Sequence, residues 1–538
     1  MSDTRYRALL FAGLLLVLMV AVAQPSHAIP AFARQYNTSC STCHSNFPKL
    51  NDFGKAFKDA GFKFPKDDED FIKVPAVLLG APAQKENFPH TIWPGSIPGL
   101  PPIGLRYNTS FNYVSRNRGN FQFAGGGAYP PNFIPRTDFQ PGLFSIFTGG
   151  NFGSDIAFWV DDDFSVAGSE ANGGLGDGYL KFVNIGRVIH LPKDFLSMRV
   201  GQFELDLPFT QARSYNISGY DIYTQFNIGA QSTPFATQQQ FVNNQFTMDT
   251  AGNGVEISGG HQYGGYHYSI AVINQTTGTQ PIEGGAFVSP SPFTGYVSDA
   301  NFKDLYARFS YRFNLERDAA SRNDVQAAGP TGPRDHTFLQ LGTYYFYGRS
   351  VQRVLGQDTL GNPVGLTARE PFYRVGGDFN FNYRNFNVYG LYMYGHDNNL
   401  LPAFLGIPVA LPPAIPPTGF VAGTPATFSG GFVQADWLPY PWMMLIMRYD
   451  GVNSTADRIN GFTVLGSGTP YFSPVDATRN RFTPGVQFLI HANIKASFEY
   501  QIRPEQQVIG GLSPTTGLPV DIPHFRTNAA VVVLEWVY

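Results

Sequence analysis

The chain contains only two cysteines, Cys40 and Cys43, and a histidine, His44, directly follows the second one. The run Cys-Ser-Thr-Cys-His has the C-x-x-C-H spacing of covalent c-type haem attachment. Two thiols one helical turn apart can reach the two vinyl groups on one edge of a haem, and the adjacent imidazole can then bind the iron. The spacing therefore predicts one covalent haem c, with Cys40 and Cys43 as attachment residues and His44 as the proximal iron ligand.

Three alternative origins of the cysteine pair fit the sequence less well. A redox-active C-x-x-C disulfide normally stands beside a βαβ pattern, which the surrounding sequence lacks. A structural zinc site needs a fourth ligand at a standard spacing, and the sequence offers none. Chance is disfavoured because the only cysteines of the chain both fall inside the motif.

The sequence defines the sixth iron ligand less well. Met and His are the usual choices, but no Met occurs between Ile29 and Met198, and His90 is the only nearby histidine. His90 is either a distal metal ligand or an ordinary loop histidine. Otherwise the iron is open, bound to water or ligated from a later part of the chain.

A short helix is expected just after the motif. Pro48 can open it and Gly61 can end it. Apolar residues recur between them at steps of three and four: Leu50, Phe53, Phe57 and Ala60. This stripe could cover one face of a haem, or it could belong to an ordinary amphipathic helix.

The N-terminus has the pattern of an export signal. Arg5 and Arg7 precede the apolar run Ala8–Ala23, and Ser26-His27-Ala28 provides a small-residue cleavage site. The apolar run is short for a membrane anchor, which is the alternative. We therefore expect a signal peptide over residues 1–28 and an oxidising compartment for the mature chain.

The composition of the remainder excludes several classes of protein. Charged residues make up 14% of the chain and aromatic residues 15%, with 48 Phe and 28 Tyr. Soluble domains carry about 25% charged residues, and disordered chains contain few aromatics. A net charge of −3 implies no nucleic-acid partner. An exported chain made mostly of strands fits these values.

From about Ile103 onward, apolar and polar residues alternate in long segments. In the segment 304–314, one face carries Leu305, Ala307, Phe309, Tyr311 and Phe313, and the other carries Asp304, Arg308, Ser310, Arg312 and Asn314. Strands of soluble sandwiches also alternate, but they average about five or six residues. Segments about twice that long predict transmembrane strands, with the polar face toward a lumen and the apolar face toward lipid.

About sixteen such segments can be counted, within an even range of 14 to 18. They begin near Ile103, Leu143, Ser154, Gly174, Phe195, Asn253, Gly264, Asn301, Asp335, Pro371, Phe386, Ser429, Trp442, Arg479, Asn493 and Thr527. Tight connections such as Arg384-Asn385 contrast with long ones, and the final segment ends on an aromatic residue, Tyr538. The pattern predicts an all-β fold with a small α segment, namely an antiparallel transmembrane β-barrel preceded by a small helical haem domain.

Charges of both signs are expected on the lumen face, where they most simply pair with one another. They are Arg308, Arg312, Arg374, Arg384, Arg448, Lys495, Asp304, Asp378, Asp436, Asp450 and Glu499. Asp161, Asp162 and Asp163 end a segment and could gather Fe(II) through oxygen ligands. A hydrated strand end is the default interpretation of those three carboxylates.

Two stretches beside the motif carry a resemblance to a known family. Residues 31–36 (AFARQY), the C-x-x-C-H motif and residues 48–58 (PKLNDFGKAFK) together resemble the fused monohaem cytochrome–porins of outer membranes, best known from the iron-oxidising outer-membrane cytochromes. The close match covers this N-terminal part alone, and the barrel is similar in type and strand count. The resemblance implies the domain order of signal peptide 1–28, monohaem cytochrome 29–75, Pro-rich linker or plug 76–102, and outer-membrane barrel 103–538.

The resemblance also implies a function and its partners. In that family the haem plugs the barrel and one electron crosses the outer membrane of a Gram-negative bacterium, which implies a periplasmic carrier such as a soluble cytochrome and an extracellular donor or acceptor. The spacer 36–39 and the outer loops differ from the iron oxidisers, so Fe(II) is one possible donor among others. A diffusion porin with a structural or sensory haem and a peroxidase-type haem protein stay open as alternatives.

Overall fold

Sixteen antiparallel strands close into one barrel in the computed structural model of the chain. Barrel strands that are consecutive in the chain pair with each other, and the last one pairs with the first to complete the ring. The signal peptide, His90 and most of the 76–102 linker lie outside the residues that the structure describes. Those are 31–36, 38–46, 49–64, 77–78, 86–87, 96–97, 103–114, 137–152, 155–165, 174–210, 217, 222–225, 248, 251–274, 303–315, 337–357, 363–398, 425–454, 462–464, 470–472, 478–491, 493–502, 511–512, 519–520 and 528–538.

Short elements precede the barrel. Helix α1 spans Ala31–Gln35, a 3₁₀ helix spans Cys40–Thr42, and α2 spans Asp52–Asp59. Strand β1 (His44–Asn46) pairs with β2 (Lys49–Leu50), and β3 (Val77–Leu78) pairs with β4 (Ser96–Ile97). None of the described helices is long and apolar enough to cross a membrane.

The barrel strands differ in length from 7 to 21 residues. They are β5 (Ile103–Val114), β6 (Thr137–Phe152), β7 (Ile156–Ser165), β8 (Gly174–Phe182), β9 (Ser197–Phe203), β10 (Gly252–Gly260), β11 (Gly265–Ile273), β12 (Asp304–Asn314), β13 (Phe338–Gln357), β14 (Pro363–Tyr383), β15 (Phe386–Asp397), β16 (Ala426–Tyr440), β17 (Met443–Ser454), β20 (Thr478–His491), β21 (Ile494–Gln501) and β24 (Ala529–Val537). Between them lie two small hairpins, β18 (Phe462–Val464) with β19 (Pro470–Phe472) and β22 (Gly511–Leu512) with β23 (Pro519–Val520). Helix α3 (Ile222–Gln225) follows β9.

Alternation along the strands gives the barrel an apolar outside, as the sequence predicted, and an inside that carries the charged side chains together with buried aromatic ones. In β12, Leu305 and Phe309 are 41% and 50% exposed, whereas Asp304, Arg308 and Arg312 are buried inside. Side chains of a strand point alternately to opposite faces, so one strand serves both surfaces. An apolar outer surface of this extent is suited to a lipid bilayer.

Two expectations about the strands need correction. Strands β6 and β14 begin earlier than expected, at Thr137 and Pro363, and the β13–β14 pairing runs from Gln357 opposite Pro363 to Phe338 opposite Asn382. Backbone pairing continues where the apolar alternation stops, because ladder hydrogen bonds do not require a lipid-facing side chain. Arg384 does not face the lumen: it lies exposed in the two-residue turn, at φ 52°.

The two ends of the barrel differ in their connections. One end, here called the short-turn rim, carries the turns 384–385 and 441–442 and both ends of the barrel chain, where the Leu105 N–H donates to the Tyr538 carbonyl at 2.8 Å. The opposite end carries long connections such as 398–425. Aromatic rings gather outside the short-turn rim, where Trp442 stacks on Tyr440 with centroids 5.2 Å apart. Such a girdle marks the level of a membrane interface.

Candidate cofactor site in the barrel lumen

The described residues between 31 and 64, which we call the plug, lie inside the barrel at the short-turn rim. Gly61 lies against Val183 and Ala157 of the barrel, and the Lys181 ammonium donates to the Lys58 and Asp59 carbonyls at 3.3 Å. These barrel residues stand at the rim ends of β7 and β8. The motif that the sequence singled out is therefore carried into the mouth of the lumen.

The attachment motif forms one tight turn. Cys40–Thr42 is a 3₁₀ helix, and the Cys43 N–H donates to the Cys40 carbonyl at 3.2 Å. Cys43 is the C-cap of this 3₁₀ turn, and its thiol is close enough to the Cys40 thiol for the two to interact electrostatically. His44 follows in extended backbone as the first residue of β1. The helical turn expected from the spacing is thus a 3₁₀ turn that runs into a hairpin.

Both thiols are partly buried and are not bonded to each other. Burial raises the pKa of the Cys43 thiol to about 12, and the neighbouring Cys40 adds to the rise. Burial also raises the pKa of Cys40. The donor set is therefore two neighbouring neutral thiols on one tight turn and one adjacent imidazole, which fits thioether attachment of a haem with a proximal His ligand.

Helix α2 begins later than its apolar pattern suggested. It starts at Asp52, because Asn51 caps it by accepting the Gly54 N–H at 2.9 Å, while Leu50 belongs to β2. Asn is a strong N-cap residue, and the acidic Asp52 in the first turn adds to the stability of the helix start. Pro48, the expected start, lies outside the described residues.

The apolar stripe of α2 packs into an aromatic cluster. Phe53 and Phe57 are buried there with the Tyr36 and Phe64 rings, whose centroids are 4.2 Å apart. Phe62 contacts Trp159 of the barrel wall at 5.4 Å. Cys43 lies at the edge of this cluster. The stripe therefore builds the plug and attaches it to the wall, and it borders the attachment turn.

Buried polar contacts also fix the plug to the wall. The Asp52 carboxylate accepts two hydrogen bonds from the Arg312 guanidinium, at 2.6 and 2.7 Å, and Arg312 stacks over Phe338 at 3.5 Å. The Lys49 ammonium donates to the Asn387 side chain and lies 4.2 Å from the Tyr389 ring centroid. Bidentate Arg–carboxylate contacts fix orientation as well as distance.

A second segment occupies the lumen deeper in the barrel, and sequence reasoning did not predict it. The described residues 204–210, 217 and 222–225, the inner segment, follow β9 and cross the lumen. Tyr306 donates to the Asp206 carbonyl at 2.6 Å, His267 Nε2 lies 3.0 Å from the Asp206 carboxylate, and Phe209 packs on Tyr389 at 4.8 Å. The sequence feature that could have indicated this segment is the apolar alternation of Leu205 and Leu207 just after β9.

Inward-facing aromatic side chains of the barrel wall surround the inner segment. Leu205, Ile222 and Tyr223 of the inner segment pack in one buried cluster with the wall residues Tyr306, Tyr344, Phe346, Phe372, Tyr389, Phe428 and Phe432. Trp159 packs against this cluster as well as against the aromatic cluster of the plug. Two chain segments thus lie in the lumen, and the apolar clusters around them meet at Trp159.

The lumen charges pair with one another, as expected. Arg308 binds Asp378 through two hydrogen bonds of 2.8 and 3.0 Å, and Lys495 lies 3.0 Å from Glu535. Asp161 lies within β7 and accepts the Asp177 N–H. Among the described residues, no group of three or more His, Cys, Asp or Glu side chains could hold a metal ion. His90 is not among them, so its role as distal ligand stays a prediction.

Comparison with known proteins finds likeness to outer-membrane porins. No protein-family model and no curated protein matches the sequence. OmpT of Vibrio cholerae (8% identity, TM-score 0.39) covers 83% of this chain and 99% of its own. An anion-selective porin from Comamonas acidovorans (10%, 0.44) covers 81% and 99%, and Pseudomonas putida OprB (8%, 0.44) covers 81% and 94%. The barrel is porin-like in its closed ring of sixteen antiparallel strands, an assignment that rests on its own strand pairing.

Proposed function

We propose that this protein conducts single electrons across the outer membrane through one haem c held in the plug. The observation that supports the proposal is the position of the C-x-x-C-H turn: it lies in the mouth of a lipid-facing barrel and is fixed to the wall by the Asp52–Arg312 pair. When bound, the haem supplies one-electron redox chemistry at its iron. The barrel supplies the insulated passage through the bilayer.

The residues of the chain divide this work among them. Cys40 and Cys43 would form the two thioether bonds, and His44 would bind the iron from the proximal side. His90 is the proposed distal ligand. The plug aromatic cluster and the wall contacts hold the attachment turn in one place, so a haem bound there would keep one position relative to both membrane surfaces.

The connections at the two ends of the barrel suggest how the protein is oriented in the outer membrane. Outer-membrane barrels place their short turns in the periplasm and their long loops outside. The plug stands at the short-turn rim, so the haem would meet a periplasmic carrier such as a soluble cytochrome. An extracellular donor or acceptor, for which Fe(II) is one choice, would meet the opposite end, in the outer membrane of a Gram-negative bacterium.

A diffusion porin with a structural or sensory haem is the second candidate, and the porin-like barrel favours it. The two chain segments inside the lumen favour the conduit. Porins of this strand number keep a water-filled channel with a polar lining, whereas buried Tyr306, Tyr344 and Phe432 line an apolar core here. An apolar interior obstructs hydrated solutes.

Optical spectroscopy tests the proposal against both alternatives. The purified protein should retain haem through denaturing electrophoresis, and the Cys40→Ser, Cys43→Ser variant should lose it. The reduced spectrum should be that of a six-coordinate haem and should not change with CO. Haem stain that survives in the double variant would refute covalent attachment, and CO binding would favour the peroxidase-type alternative.

A further inference from the structure

Asn51 connects the attachment turn to helix α2 with both ends of its side chain. The amide Nδ2 donates to the Thr42 carbonyl at 3.0 Å and to the Ser41 carbonyl at 3.2 Å. The amide oxygen accepts the Gly54 N–H at 2.9 Å. The Asn51 backbone N–H donates to the Cys43 carbonyl at 2.9 Å. One buried side chain thus holds the carbonyls of both residues that separate the two cysteines.

Gly54 brings the helix start as close to the turn as backbone atoms allow. A Cβ atom at this position would lie 2.1 Å from the Cys43 carbonyl oxygen and 2.9 Å from Leu50 Cδ2. The first of these contacts is with backbone, which cannot rotate away as a side chain can. The distance between the attachment turn and α2 therefore depends on a residue without a side chain.

The next residue in the chain, Asp52, ties this unit to the barrel. Its carboxylate and the Arg312 guanidinium are 3% and 1% exposed and form a bidentate pair across the plug–wall boundary. Two consecutive residues thus join the cysteine turn to β12. Any change at Asn51 alters the link between the turn and a part of the molecule that is fixed in the membrane.

We propose that Asn51 is the positioning residue of the haem site: it sets the orientation of the cysteine turn, and through it of His44, relative to the barrel wall. The inference rests on the proposed function. Asn51 acts through the turn carbonyls, and Gly54 gives it the short distance that it needs. This role is separate from helix capping. The side-chain oxygen of Asn51 caps α2, whereas Nδ2 makes the contacts to the turn.

The variant Asn51→Asp separates the two roles. It retains a side-chain oxygen for the Gly54 N–H, and so retains the cap, but it places an acceptor against the Ser41 and Thr42 carbonyls. Asn493→Asp is the matched control, because the Asn493 amide donates to the Val537 carbonyl at 3.0 Å, also at the short-turn rim. The two variants change the same atoms in the same part of the barrel.

Two measurements are made on each variant. In the haem-loaded protein, electron paramagnetic resonance g-values and the reduction potential report the orientation and surroundings of the iron. In reduced protein produced without haem attachment, the alkylation rate of Cys40 and Cys43 reports how often the turn opens. For Asn51→Asp we expect shifted g-values, a shifted potential and alkylation about tenfold faster, whereas Asn493→Asp should match the wild type.

The outcomes keep this inference apart from the proposed function. If wild-type protein carries no haem, the proposed function fails, and the alkylation rates still test whether Asn51 holds the turn. If Asn51→Asp fails to load haem, faster alkylation supports the inference and an unchanged rate overturns it. Loaded Asn51→Asp with wild-type g-values, potential and alkylation rate would also overturn it, because the cap alone would then account for the residue.

Discussion

Replacing Arg312 with Gln should loosen the plug without unfolding the barrel. The guanidinium makes two short hydrogen bonds to Asp52 in a site where both side chains are almost fully buried. Removing one partner of such a pair leaves an uncompensated buried charge, which costs about 3–5 kcal/mol. Lys55 lies 3.5 Å from the same carboxylate and can neutralise part of it, so we expect the lower end of that range.

A loss of about 3 kcal/mol lowers the docking equilibrium of the plug about a hundredfold. The aromatic contacts to Trp159 remain, so the plug should leave the barrel mouth intermittently. In planar bilayers the wild-type protein should conduct ions poorly, and Arg312→Gln should show brief increases in conductance that stay below those of an open porin, because the inner segment remains in the lumen. Protease added from the periplasmic side should cut the plug faster in the variant than in the wild type.

Two further variants make this prediction specific. Arg374→Gln removes a buried guanidinium that pairs with Asp397 within the wall, away from the plug, so it should produce no openings. The double variant Asp52→Asn, Arg312→Gln removes both charges and should close the channel again, because a neutral pair leaves no charge buried. If Arg312→Gln is as silent as the wild type and its plug is cut no faster, the pair does not hold the plug.

The plug, the burial of Cys43 and the closed barrel can each be tested in the same preparations. Deleting residues 31–74 should raise the ion conductance steadily, up to the limit that the inner segment sets, and abolish electron passage, whereas electron passage that survives the deletion would refute a haem in the plug. In reduced, haem-free protein at pH 8, Cys43 should be alkylated at least about tenfold more slowly than in denaturant, because burial raises its pKa to about 12 and the thiolate is the reacting form, while the higher nucleophilicity of a less acidic thiol offsets part of the loss; equal rates would refute the burial. Unboiled and boiled samples should migrate differently in detergent gels, since a closed barrel exposes no strand edge; a soluble periplasmic protein would contradict the barrel's location.

The barrel could be predicted from the sequence because its signal is local. Period-two alternation over long segments, as in β12 and β24, fixes both the strand and the face that meets lipid. Nearly all the strands begin within three residues of the expected position. The predicted strand start is wrong in β14, where backbone pairing continues beyond the alternating segment. The predicted lumen position of Arg384 is wrong because this residue lies in a turn and not in a strand.

The site was predicted in part. The residue types and spacing of Cys40, Cys43 and His44 define the chemistry that the turn suits, but they do not say where the turn lies. Its place in the lumen depends on contacts between residues far apart in the chain, such as Asp52 with Arg312. The inner segment was missed for the same reason, because a short apolar alternation after β9 does not reveal whether the chain turns outward or back into the barrel.

Electron passage into sealed vesicles distinguishes an electron conduit from a diffusion porin. The haem-loaded protein would be inserted into vesicles that contain ferricyanide, and a reductant that cannot cross the bilayer would be added outside. We predict that the wild-type protein bleaches the internal ferricyanide while an ion-sensitive dye inside reports little leakage. The Cys40→Ser, Cys43→Ser variant should leave the ferricyanide oxidised and should also leak few ions. Ferricyanide that stays oxidised, or bleaching that occurs only together with free ion leakage, would contradict an electron conduit and leave a diffusion porin in its place.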